Sequence, residues 1–404
     1  MTAPARYGTI GLLFLTLIFD GFDAVAMSIV VPTLSREWHL PPSAFTAPLV
    51  ATNVGVVIGL LAANRLCRLL NRRTVICLAT LVFTLGAFAT ALAGNVALLT
   101  VIRGLTGLGF GAVLTAATSL AADIVPDRWR ETASIVVPLG LSFGGSAAGF
   151  VGSQVLATLG WTSVFWLPGI FGLALVAVLF WRLPSVESTA AVSDGSRATV
   201  RDLFAPGLRF TTIAMWGLAF LVFATMYSLD AWLPTFAVDY GMTPAQAPVS
   251  SAVKGIGGLA GGAVLVFGTM AFGARRMMLF FLALAAVCLG VAGLVPIGTT
   301  ALLALVGGMG AGLIGACVGQ VGLATRIYDG DRRTAGIGWT LGIGRVGSIG
   351  GPALAGALLA GGGSPRTALL IMGVVIVAGL AVTVALGRGA VEAEEVRVVS
   401  GNPG

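Results

Sequence analysis

A chain of 404 residues that is 57% hydrophobic and only 10% charged, with a mean hydropathy of +0.99, is not a soluble globular protein, in which about 25% of residues are charged. Its net charge of +7 needs no nucleic acid to explain it, because the basic residues follow the pattern of membrane loops described below. Twelve apolar stretches are predicted to begin near Tyr7, Ala47, Thr74, Val96, Thr132, Trp161, Phe210, Ala247, Met277, Thr300, Thr334 and Thr367. Each runs for roughly 20 residues, enough to cross a hydrocarbon core of about 30 Å. The first is too long for a signal-peptide core and has no persuasive cleavage site, so it is kept as a span. The 58 glycines suit membrane helices, whose small residues permit close approach.

With the N-terminus placed in the cytoplasm, only Arg36 and Arg366 of the 23 Lys and Arg residues fall outside. Three more (Arg103, Lys254 and Arg345) lie within spans, and the remaining eighteen are on the inner side, among them Arg65, Arg68, Arg72, Arg73, Arg275, Arg276, Arg332 and Arg333. That asymmetry is the positive-inside pattern, and an even number of spans returns the C-terminus to the cytoplasm. Cys67, Cys77, Cys288 and Cys317 form no C-x-x-C pair and read as small hydrophobes. His39, the single histidine, falls in the first outer loop beside Pro41 and Pro42 and reads as solvated. No metal or cofactor is implied.

A polar stretch at 184–208 separates the sixth and seventh spans and reads as a cytoplasmic linker. The segments on either side repeat. LGLSFGGSAAGF (139–150) and LGIGRVGSIGGP (341–352) share five residues at an offset of 202, which also pairs Pro32-Thr33 with Pro234-Thr235 and Thr132-Ala133 with Thr334-Ala335. NRR (71–73) and ARR (274–276) match at 203. The expected architecture is an all-α membrane protein of twelve transmembrane helices in two pseudo-symmetric six-helix halves, 1–183 and 209–388, followed by a cytoplasmic tail, 389–404. Parallel repeats of this kind place a transported substrate between the halves.

The buried charges carry the functional reading. At 1.5 Å per residue, Asp20 and Arg345 lie about 17–18 Å from the inner surface, and Arg103 and Lys254 about 12 Å from the outer one. All four therefore approach the midplane. A charge there costs about 2.5–3.5 kcal/mol on insertion scales unless it faces a wet cavity or a partner. Asp20 and Asp23 are three apart and share a helical face. Two carboxylates that close, away from bulk water, repel when both are ionised, so the pair is suited to take up and release a proton. The structural alternative is that one aspartate pairs with Arg103 and ties the first span to the fourth.

Three buried cations against at most two anions leave a positive surplus, which attracts an anion. Arginine can hold a carboxylate bidentately. Arg345 is the best candidate, since Gly342, Gly344 and Gly347 clear space beside it for a ligand or a neighbouring helix, and its repeat partner is Phe143. Arg103 and Lys254 are further anion candidates, with internal ion pairing as the alternative for all three. Tyr227, Trp232, Phe143 and Phe165 are candidates to line a pocket for an aromatic ring, against ordinary packing. Asp230, near the outer end of the seventh span, reads as an outer-mouth residue or a solvated helix end. GIGRVG (342–347) fits the dinucleotide pattern, but that motif works only between a strand and a helix, and here both flanks are apolar helix.

Several of these stretches resemble one family. Asp20-Gly21-Phe22-Asp23, RGLTGLGFGA (103–112), WLPT (232–235) and TAGIGWTLGIGR (334–345) are similar to the signatures of the aromatic acid/proton symporters of the major facilitator superfamily, over almost the whole chain. The resemblance implies import of a benzoate-like, hydroxybenzoate-like or phenylpropionate-like carboxylate with a proton, across the inner membrane of a bacterium, by a monomer. It puts proton and substrate work on Asp20, Asp23 and Arg345.

One departure stands out. The family's loop after the second span carries Asp-Arg-x-Gly-Arg-Arg, whereas this chain has Arg68-Leu69-Leu70-Asn71-Arg72-Arg73. The acid that helps latch the cytoplasmic side is missing, and Met270 stands at the matching point of the second half. The outward-open state is therefore expected to be less favoured, with Arg68, Arg72, Arg73 and Asp230 as the gating candidates. Two other functions remain open here: proton-driven efflux of a metabolite or drug, and ligand sensing without transport. No constellation of residues supports an enzyme.

Overall fold

The computed structural model describes residues 3–126, 129–183, 200–205, 207–328 and 332–399. Among them the chain is helical throughout, with twelve long helices: α1 Ala3–Glu37, α2 Thr46–Leu70, α3 Arg72–Ala91, α4 Val96–Ile124, α5 Arg130–Leu159, α6 Ser163–Arg182, α7 Arg209–Asp239, α8 Pro248–Phe272, α9 Ala274–Leu294, α10 Thr299–Ile327, α11 Arg332–Ala360 and α12 Pro365–Val399. Each is long and apolar enough to cross a membrane, and each begins within four residues of its predicted start, Tyr7, Thr132 and Thr367 included. Large apolar side chains such as Leu61, Trp181, Phe267 and Met270 stand more than 70% exposed, as helices bathed in acyl chains require. Most of the linker expected at 184–208 falls outside the described residues.

Short polar residues punctuate the helices. Asn71 and Asn95 cap α3 and α4, their side-chain oxygens accepting from the backbone N–H of Thr74 (2.9 Å) and Leu98 (2.8 Å). Asn71 sits at φ +64°, ψ 159°, a backbone conformation otherwise left to glycine. Gly273 caps α9 at φ +81°, so the two caps correspond at an offset of 202. Arg73 and Arg275 match at that same offset: Arg73 donates to the Phe180 carbonyl of α6, and Arg275 to the Val384 carbonyl of α12 (3.1 Å), an acceptor 204 residues on. One device thus occurs twice in the chain, and the structural register is 202 where the letters alone suggested 203.

The chain forms two compact units. The first draws on residues 1–191, 230–255 and 352–362, the second on 192–229, 256–351 and 363–404. In the first, helices meet backbone to backbone at glycines. A Cβ on Gly107 of α4 would lie 2.2 Å from the Thr52 carbonyl of α2, and one on Gly21 of α1 would lie 2.2 Å from the Leu141 carbonyl of α5. Gly21 stands between Asp20 and Asp23, so the motif itself presses α1 on α5 and fixes the azimuth of both acids. Leu13, Leu17, Ile76, Val113, Ala117 and Leu120 fill the apolar core of this unit. The same unit contains the end of α7 and the start of α8, where Gly149 of α5 leaves room for Ala252 (2.4 Å from a Cβ to its nitrogen).

In the second unit Leu265, Met277 and Phe281 form a buried cluster. Gln320 of α10 lies on the same buried face as Leu313, Ala316 and Leu323. Among the described residues, neither its side-chain oxygen nor its nitrogen has a hydrogen-bond partner. An unsatisfied buried amide costs about 1–3 kcal/mol. Gln320→Met keeps the length and removes the polar group, so it is expected to stabilise the fold by about 1 kcal/mol or more. The melting temperature in detergent reads this directly; an unchanged or lower value would mean that the amide is satisfied in solution.

Candidate functional site

In the first unit, Asp20 and Asp23 of α1 are 2% and 1% exposed, and Arg103 of α4 is fully buried. Arg103 Nη1 donates to Asp23 Oδ2 (3.1 Å), Nη2 to the Asp23 carbonyl (3.2 Å), and Nε to Thr52 Oγ1 of α2 (3.3 Å). Its guanidinium also faces the Phe110 ring, 5.8 Å away and two turns along the same helix. The fork thus reads side chain and main chain of a single residue, so the contact between α1 and α4 is fixed in direction as well as in charge. The structural alternative entertained for the acid pair is present: Asp23 ties α1 to α4. Oδ1 of Asp23 has no hydrogen-bond partner among the described residues.

Lys254 of α8, 5% exposed, forms an ion pair with Asp230 of α7. Lys254 thus takes the ion-pair alternative left open for it, and Asp230, within α7, is the partner of a buried cation. The expected positive surplus changes with it. With Asp230 added, the charges placed so far in the first unit are three acids (Asp20, Asp23, Asp230) and two bases (Arg103, Lys254).

Trp232 also departs from the reading as a pocket wall. It is fully buried, and its indole N–H donates to the Pro352 carbonyl (3.1 Å), so no ring face is open to a ligand. Phe165 is likewise fully buried. Phe143 stays half exposed and packs edge-on against Phe14, with centroids 5.8 Å apart.

In the second unit Arg345 of α11 is partly buried. Its Nη1 donates to Tyr227 Oη of α7 (2.9 Å), and its guanidinium lies 5.8 Å from the centroid of Phe223. Phe223 and Tyr227, one turn apart on α7, stack with an interplanar angle of 13°. Both of these contacts are uncharged. Two of the three glycines expected to clear space serve the neighbouring helix instead: a Cβ on Gly344 would meet Phe223 at 2.9 Å, and one on Gly347 the Phe220 carbonyl at 2.4 Å. Gly342 alone of the three has nothing within 4 Å. Thr52, Phe110 and Phe223 were not singled out from sequence, although spacing gave a signal for two: Phe110 is seven residues from Arg103, and Phe223 four from Tyr227. His39, at φ +55°, is exposed, and the described residues hold no cluster of metal-binding side chains.

Comparison with known proteins now decides the family. Residues 12–321 match the model of the Major Facilitator Superfamily. The chain belongs to that superfamily. Among curated relatives of this major facilitator, the gallate transporter of Pseudomonas putida is 31% identical over 86% of this chain and 84% of its own length. The 4-hydroxybenzoate transporter PcaK of Pseudomonas aeruginosa is 28% identical over 96% and 94%. The 3-(3-hydroxy-phenyl)propionate transporter of Escherichia coli is 30% identical over 94% of both chains. Among solved structures, a bacterial homologue of the human lysosomal transporter Spinster, inward-facing and occupied, superposes with a TM-score of 0.74 at 18% identity, covering 96% of this chain and 98% of the other. A D-xylose-proton symporter superposes with 0.74 at 16%. These give the fold. As a member of this superfamily the protein is a multi-pass membrane transporter and not an enzyme.

The arginines at the junction of α2 and α3, where the sequence departs from the expected loop pattern, are placed as follows. Arg68 is exposed in the last turn of α2. Arg72 is buried and forms an ion pair with Asp123 at the end of α4. Arg73, besides donating to the Phe180 carbonyl, lies 5.2 Å from that residue's ring centroid. The acid for Arg72 thus comes from α4, and the substitution in the loop leaves this arginine paired. Asp123 had no distinguishing signal in sequence beyond its place at a helix end.

Proposed function

We propose that this chain imports a small aromatic carboxylate together with a proton, by alternating access. It would work in two six-helix halves, 1–183 and 209–388, joined by the linker 184–208, with the tail 389–404 and both termini in the cytoplasm. The relatives' named cargoes, gallate, 4-hydroxybenzoate and 3-(3-hydroxy-phenyl)propionate, share one ring and one carboxylate. The observation that carries the reading is Arg345, a guanidinium bounded by a phenol and a ring face. A carboxylate supplies the charge that neither offers and is held through two parallel N–H donors. Tyr227 accepts from Arg345 and so holds one N–H of the guanidinium in a fixed direction.

The buried acid pair supports coupling. Asp20 and Asp23, three apart on α1 and both buried, repel when both are ionised, so the pair is suited to carry a proton. Arg103 and Lys254 go to their carboxylate partners, not to the substrate. A proton on the acid pair and a carboxylate at Arg345 each lower the cost of holding charge in low dielectric.

The test is a thermal-shift series on purified protein with gallate, 4-hydroxybenzoate, benzoate and 3-phenylpropionate. At 100 times its Kd a ligand stabilises by about 2.7 kcal/mol. At least one acid is expected to do so, and Arg345→Ala is expected to abolish the shift. Equal shifts in parent and variant would remove Arg345 from the site.

A further inference from the structure

We infer that Phe223 is a positioning residue for carboxylate binding: its ring face holds the Arg345 guanidinium in the orientation that receives the substrate. The inference rests on Arg345 being the carboxylate ligand. A guanidinium has two kinds of surface. Its edge carries the N–H donors, and its faces carry none. Phe223 lies 5.8 Å from the guanidinium carbon, at cation–π distance, while Tyr227 takes an N–H of Nη1 at 2.9 Å. The ring offers the cation no lone-pair acceptor, so it restrains the guanidinium and leaves the N–H donors not taken by Tyr227 for a carboxylate.

Phe223 is itself held in place. It is 8% exposed, stacks on Tyr227 with centroids 6.0 Å apart, and lies against Gly344, where a Cβ would come within 2.9 Å. The residue next to Arg345 thus has no side chain, and the space is taken by the ring. At the repeat offset of 202, Phe223 corresponds to Gly21 and Arg345 to Phe143. The ring and the cation occur together in one half and are both lacking from the other. Without the ring, a long arginine side chain must be ordered at each binding event, and that entropy is charged against affinity.

The plain alternative is that Phe223 only packs α7 against α11. Phe223→Leu separates the two, since it keeps an apolar side chain of similar reach and loses the π face. The expected result is a 3- to 20-fold weaker Kd for the acid that stabilises the parent protein, in line with the range for cation–π contacts of about 2- to 30-fold. Turnover at saturating substrate should change less than KM, and Phe223→Tyr should restore the Kd. Replacing Phe223 with mono-, di- and trifluorinated phenylalanine keeps the shape while draining the ring face; Kd should rise stepwise along that series, which also covers failure of the leucine variant to fold. A lower melting temperature with unchanged Kd in Phe223→Leu, or a flat fluorination series, would overturn the inference. If Arg345→Ala itself binds normally, the reading of the site has failed first, and the two failures are told apart.

Discussion

Asp23→Asn is expected to cost the folded protein about 3–5 kcal/mol, the usual penalty for leaving one member of a buried ion pair without its partner. The substitution preserves shape and removes only charge. Arg103 is fully buried, and its charged partner among its hydrogen bonds is the Asp23 carboxylate; the others are the Asp23 carbonyl and the Thr52 hydroxyl, both neutral. Arg103 cannot shed its proton to escape the penalty. Arg103→Gln should destabilise by a similar amount, because it strands the carboxylate. Combining Asp23→Asn with Arg103→Gln should recover much of the loss, since two neutral amides in contact need no counter-charge. Melting temperatures of the four proteins in one detergent give the double-mutant cycle. Additive losses would show that the pair is not coupled, and a stable Asp23→Asn protein would show that Asp23 is already neutral opposite Arg103.

Asp20→Asn is expected to abolish uphill accumulation while sparing the carrier's movement. Asp20 is buried three residues from the ion-paired Asp23, and asparagine mimics its protonated form permanently. In proteoliposomes, a pH difference of one unit stores about 1.36 kcal/mol per proton, which supports roughly tenfold accumulation at one proton per substrate. Acid outside should drive the labelled acid inward in the parent protein. The variant should equilibrate without concentrating, yet still exchange internal for external substrate. Full accumulation by Asp20→Asn would remove this residue from coupling. Accumulation driven by the opposite gradient would favour the efflux reading over import.

What is legible along the letters is axial. The start of every helix lay within four residues of its apolar run, because a hydrocarbon core selects length and hydropathy, both properties of a stretch of chain. Depth follows from the same arithmetic, which is why Asp20, Asp23, Arg103 and Arg345 could be singled out before their partners were visible. Azimuth does not follow. Asp230 and Lys254 are 24 residues apart on different helices, and no count along the chain says that they meet. Trp232 reads as a pocket aromatic until its indole is found on the Pro352 carbonyl.

The amino-acid sequence by itself determined a twelve-span membrane protein, its internal repeat and the short roster of intramembrane charges. Only the tertiary structure decided how those charges are shared: Asp23 to Arg103, Asp230 to Lys254, and Arg345 to a phenol and a ring face. The reason is physical. Transfer into lipid is summed residue by residue along a helix. Pairing depends on how each helix is rotated against its neighbours, and that rotation is set by close contacts, such as those at Gly21 and Gly344, between segments far apart in the chain.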